Sequence, residues 1–174
     1  MDSDTRNIAR WMIWLGWLIF LILLTYFFNN MLENDHNPNQ EVSGSVTQSG
    51  VKEVVLTRNR QGQYLSSGFI NGQAVVFILD TGASDVAIPA NVARRLDLSG
   101  QRPVVYQTAN GPVSGMSTKL DTVSLGNITL HNIRGGINPA MHKEYILLGM
   151  SFLKHLEFTQ RGNELILRQY PGGM

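Results

Sequence analysis

The chain has 174 residues, 43% of them hydrophobic and 16% charged, with a formal net charge of +1. That length holds one domain and an appendage, and the composition excludes a disordered chain. A near-neutral balance without charge runs argues against nucleic acid as a partner, and the absence of cysteine removes disulfides, thiolate metal sites and cysteine nucleophiles.

In chain order, the first feature is Trp11 to Phe28, an uncharged apolar run of 18 residues. A helix of about 17 to 25 such residues spans a bilayer core, and no proline interrupts its backbone pairing. Trp11 and Tyr26 lie near the ends, where amphipathic rings favour the headgroup zone. A cleaved signal peptide fits less well, because Asp2 and Asp4 dilute Arg6 and Arg10 and no Ala-x-Ala pattern follows. Arg6 and Arg10 precede the run, and no Lys or Arg follows it until Lys52. The positive-inside rule then predicts a cytoplasmic N-terminus, residues 1–10, a single-pass helix over 11–28, and the remainder across the membrane. In a bacterium this is the inner membrane with the following domain in the periplasm.

Residues 29–50 are polar, carry Pro38 and two glycines, and show no apolar period, which predicts a flexible linker. From 51 to 174 the pattern changes to short β-type runs separated by turn residues. Glu53–Thr57 is one such run. Tyr64–Ile70, Asn71-Gly72 and Gln73–Leu79 read as a hairpin, because a type I′ turn needs two positive-φ residues. Asn110-Gly111 repeats that signal between Val104–Thr108 and Val113–Leu120, and Gly126-Asn127 and Gly162-Asn163 mark two further turns. Gly135-Gly136 reads as a loop. Helical spacing is confined to Pro89–Leu96 and Ser151–Leu156. The expected body is therefore all-β.

Its central feature is the apolar run Val75–Leu79 leading into Asp80-Thr81-Gly82-Ala83-Ser84. A run without alternation predicts a strand buried on both faces. A carboxylate at the mouth of such a strand is costly without partners, and Gly82 allows a tight turn beside it. A surface Asp-Thr-Gly turn is the plainer alternative, since these are ordinary turn residues. A second apolar run, Tyr145–Leu148, ends in Gly149, 69 residues beyond Asp80 (149 − 80), and a short helical stretch follows.

An acid loop, a projecting hairpin and an apolar strand ending in glycine together resemble the retropepsin family of aspartic proteases, in its bacterial branch with one N-terminal membrane anchor. The resemblance covers about residues 64–167. It implies a closed β-barrel or sandwich with one short C-terminal helix, preceded by one transmembrane helix, and a protease domain over 51–174. It further implies Asp80 as the catalytic acid, Thr81 as a brace across a dimer and Gly82 as a contact for the substrate backbone. Ala83 and Ser84 would line the substrate, and Ala109, Asn110 and Gly111 would form a flap over it. Viral members usually carry an acid where this chain has Ser84, and their flap tip is richer in glycine.

Aspartic protease chemistry needs two carboxylates sharing a proton and a water. The only near repeat of the motif, Asp121-Thr122-Val123, lacks the glycine. One half-site per chain predicts a homodimer, with Asp80 of each copy at a two-fold axis. The expected partners are a peptide or protein substrate, a second copy and the membrane, with no nucleic acid, cofactor or metal. Histidines 36, 131, 142 and 155 show no metal-ligand spacing, and no serine sits in a nucleophile elbow. The alternative function is a non-catalytic, membrane-tethered module of the same fold that grips peptides without cutting them.

Overall fold

In the computed structural model, residues 3–108 and 111–172 are described. The chain divides into two compact units, Met1–His36 and Asn37–Met174.

The first unit is one helix, α1 (Ser3–His36). Its segment Arg10–Phe28 has a mean hydropathy of 2.1, and its side chains are exposed all round. A helix apolar on every side finds no favourable surroundings in water, so this segment is long and apolar enough to cross a membrane. The helix continues past Phe28 to His36, through residues expected to belong to the linker. Uninterrupted intrahelical bonding explains the extension, since Asn29 to His36 contain neither glycine nor proline and the break comes at Pro38.

The second unit contains two sheets. One has the order β1 (Gly44–Val46), β2 (Lys52–Thr57), β11 (Glu164–Gln169), β10 (Glu157–Arg161), all antiparallel. Its inner face buries Val54, Leu56, Leu165 and Leu167. The rest of the expected linker also belongs to this unit. Asn39 is buried, and its side-chain amide donates to the carbonyls of Thr57 and Leu65, at 2.9 and 2.6 Å, while its oxygen accepts from Thr57 N–H at 2.7 Å. One asparagine thus joins the end of β2 to the start of the next strand. Residues 37–50 are fastened by such side-chain bonds and by the short pairing of β1 with β2, and neither carries an apolar period for sequence rules to detect.

The larger sheet takes the order β3 (Leu65–Ile70), β4 (Gln73–Leu79), β9 (Ile146–Leu148), β5 (Val86–Pro89), β8 (Ile128–Asn138), β7 (Gly111–Leu125), β6 (Arg102–Thr108). A further pairing of β3 with β7 closes it into a barrel. Asn71 and Gly72 have φ of 49° and 78°, the two positive values that the β3–β4 turn required. Two short helices, α2 (Ala90–Arg95) and α3 (Met150–Leu153), pack against the barrel core of Phe77, Val86, Ile88, Leu120, Ile146, Leu148 and Phe152.

Three local expectations change. β4 is not buried on both faces: Val75 and Phe77 face the core, while Val76, Ile78 and Leu79 are half-buried. Gly135-Gly136 is not a loop but lies inside β8. The strand runs on because Gly136 makes room for a neighbour: a Cβ there would collide with the hydroxyl and ring of Tyr106 on β6. Finally, β7 is longer than expected. Its first residues pair with β6 alone, from Gly111 opposite Thr108, and pairing with β8 begins at Met116. The outer part of the β6–β7 hairpin therefore projects from the barrel.

Candidate active site

Asp80 follows the last residue of β4 and is half-buried. β4 lies between β3 and β9, so the acid leaves the middle of the sheet rather than an edge. Its backbone N–H donates to Leu148 O at 3.2 Å, which fixes the point of departure. The chain then folds back on itself. Gly82 N–H donates to Asp80 Oδ1 at 2.9 Å, and Ala83 N–H donates to Asp80 O at 3.2 Å. A hydrogen bond to the carboxylate orients it.

The loop is held from behind by the segment after β9. Met150 N–H donates to Ala83 O at 2.8 Å, and Ser151 N–H donates to Ser84 O at 2.9 Å. Gly149 is buried against the same backbone: a Cβ would meet the carbonyl oxygens of Asp85 and Ala83. No larger residue fits without moving the acid loop. Gly149 thus packs tightly behind the acid loop.

Asp85 closes the loop. It is buried, and its Oδ1 accepts from Arg134 Nε at 2.6 Å, while Arg134 remains two-thirds exposed. Ser151 ties the same elements together, since its hydroxyl donates to Arg134 O at 2.7 Å and accepts from Val86 N–H at 3.1 Å. Tyr106 reaches this corner from β6. Burial pushes its phenol above the ordinary value, the Asp85 carboxylate pushes it further, and Arg134 opposes them. The Tyr106 hydroxyl is buried with no hydrogen-bond partner among the described residues.

Thr81, Gly82 and Ser84 are exposed and Ala83 is half-buried. Together they form one wall of a cleft of about 260 Å³, with Arg134 and the α3 segment, Met150, Ser151 and Lys154, opposite. The sequence-predicted residues 80–84 thus share one loop. Gly111 (φ 101°) sits on a separate element, at the start of β7, and Ala109 and Asn110 lie outside the described residues. Sequence reasoning missed Arg134, Lys154 and Tyr106 and gave Ser151 no part in the site. A lone cation or tyrosine in a β-run carries no spacing signal, and only the β5–β8 pairing brings Arg134 to Asp85.

A family model described as "gag-polyprotein putative aspartyl protease" matches residues 66–155. Among curated proteins, the chain is 30% identical over 173 residues to an uncharacterized protein in the cobV 5′ region of Sinorhizobium sp, covering 94% of this chain and 72% of that one. It is 29% identical over 123 residues to the uncharacterized protein RP867 of Rickettsia prowazekii (strain Madrid E), covering 69% of this chain and about half, 52%, of that relative. Among solved structures, it matches the crystal structure of a retropepsin-like aspartic protease from Rickettsia conorii with a TM-score of 0.59 and 30% identity, covering 74% of this chain and 96% of that one.

Proposed function

Because the chain belongs to the retropepsin-like aspartic protease family, we propose that it is a membrane-anchored aspartic endopeptidase in which two copies each supply Asp80. The observation that carries this reading is the acid loop itself. A half-buried carboxylate leaves the centre of a sheet and is oriented by Gly82 N–H, and the loop that follows it, backed by Gly149, lines an open cleft from Thr81 onward.

In the proposed mechanism, one Asp80 carboxylate takes a proton from water as that water attacks the scissile carbonyl, and its twin protonates the carbonyl oxygen. The pair acts as a unit, with neither role belonging permanently to one copy. Exposed Thr81, beside each acid, would brace the two loops across the axis, and Gly82, Ala83 and Ser84 would run along the substrate backbone. The projecting β6–β7 hairpin would close over an extended peptide, with Ala109, Asn110 and Gly111 as the proposed flap residues. Strand-like main-chain pairing would then supply affinity.

The apolar part of α1 would anchor each copy, with residues 1–10 in the cytoplasm and the protease domain across the membrane, in the periplasm of a bacterium. Confinement to one membrane raises the effective concentration of the two halves. The test uses the full chain in detergent micelles with a denatured protein at mildly acidic pH. Cleavage is expected to vanish in Asp80→Asn, to be blocked by a pepstatin-type inhibitor, and to rise more steeply than linearly with enzyme concentration. Turnover that survives Asp80→Asn would overturn the proposal.

A further inference from the structure

The cleft beside the acid loop carries charge of one sign. Its two charged lining residues are cations, Arg134 and Lys154, and they share the cleft with the hydroxyl-bearing Thr81 and Ser84. Arg134 is not a free surface arginine. Its Nε is spent on the buried Asp85 carboxylate, and its own carbonyl is held by Ser151. Its two Nη groups have no partner among the described residues, and that edge of a guanidinium is the one suited to bidentate carboxylate binding. Asp85 cannot serve as the cleft's counter-charge, because it is buried behind Arg134 and does not line the cleft. Lys154, exposed at the end of α3, has no ion pair among the described residues. A fixed guanidinium, an exposed ammonium and the hydroxyls of Thr81, Ser84 and Ser151 around about 260 Å³ suit an acidic side chain in sign and leave room for it.

We infer that this cleft is a specificity subsite for an acidic side chain, aspartate or glutamate, near the bond that is cut, with Arg134 and Lys154 as the recognising residues. The inference rests on Asp80 being the cutting acid, since the cleft begins at the next residue, Thr81. A carboxylate could also come from the second copy of the chain, and the two sources are separable.

The full chain in detergent micelles is offered matched peptides that differ by a single Glu or Gln, scanned across the positions flanking the cut. At one position, Glu is expected to raise kcat/KM about tenfold over Gln at low salt, equivalent to about 1.4 kcal/mol, and the preference should fade as salt rises. Lys154→Glu should remove that preference and favour Lys at the same position, while Arg134→Lys, which keeps a cation opposite Asp85, should weaken it. The same peptides are titrated against the Asp80→Asn protein by fluorescence anisotropy, so the subsite is read even without cleavage. Absence of cleavage with the binding preference intact sinks the protease reading, and with it the subsite's place beside a cut bond, while the cleft's recognition of an acidic side chain stands. Cleavage or binding without any Glu-over-Gln difference overturns the subsite. Lys154→Glu that instead dissociates the dimer, measured by mass photometry, assigns the carboxylate to the second copy and also overturns it.

Discussion

At the scale of single residues, Gly149 shows how little sequence can determine a site. Its missing side chain is what allows the carbonyls of Ala83 and Asp85 to lie against it. Backbone atoms cannot swing aside as a side-chain tip can, so Gly149→Ala must displace either the acid loop or α3. The expected cost is about 1–3 kcal/mol of stability, with a larger loss of cleavage than of fold, because the loop that moves carries Asp80. Denaturant unfolding and peptide cleavage on the same protein separate the two. This glycine was legible in the sequence, since it stands after an apolar run at a set distance from the acid. Asn39 was not. Its three bonds to Thr57 and Leu65 arise from chain segments 18 and 26 residues away, and a polar residue among polar residues shows no period. Asp85 and Arg134 were equally silent, because parallel pairing of β5 with β8 is a property of topology and not of local pattern.

At the scale of elements, the hairpins were the most legible part. Asn71-Gly72, Gly126-Asn127 and Gly162-Asn163 each join adjacent antiparallel strands, as turn chemistry required. The mistaken loop at Gly135-Gly136 came from treating glycine as punctuation, when here it is a space left for Tyr106. Tyr106 also packs its ring edge against Gly115 on β7, where a Cβ would approach it at 3.2 Å. The base of the projecting hairpin is therefore pinned to β8 by one aromatic side chain seated over glycine. Gly136→Ala should cost about 1–3 kcal/mol, and Tyr106→Ala should absorb most of that penalty. A double-mutant cycle by chemical denaturation should give a coupling above about 1 kcal/mol. Strict additivity would mean that Tyr106 does not occupy the space that Gly136 vacates.

At the scale of the whole molecule, the sequence divided correctly into an apolar helix and a β body, but the polar interval between them was misjudged. It contributes the end of α1, the Asn39 clip and β1, and the second unit begins at Asn37. The proposed topology is directly measurable because the chain has no cysteine. Ser3→Cys and Gln61→Cys each create a single thiol, one ahead of the apolar segment and one in an exposed loop of the second unit. A membrane-impermeant maleimide applied to intact spheroplasts should label Gln61→Cys and spare Ser3→Cys until the membrane is breached. The reverse pattern would place the protease domain in the cytoplasm.

The four-stranded sheet also sets an order of events in biosynthesis. β11 lies between β2 and β10, so its six residues are the middle of the sheet and not its margin. Residues 52–57 must wait for residues 164–169 before they gain that neighbour, and such distant pairings form slowly. A growing polypeptide therefore leaves the ribosome with this sheet unfinished until more than a hundred later residues have been added. During that interval its unpaired strand edges are open to pairing with other chains.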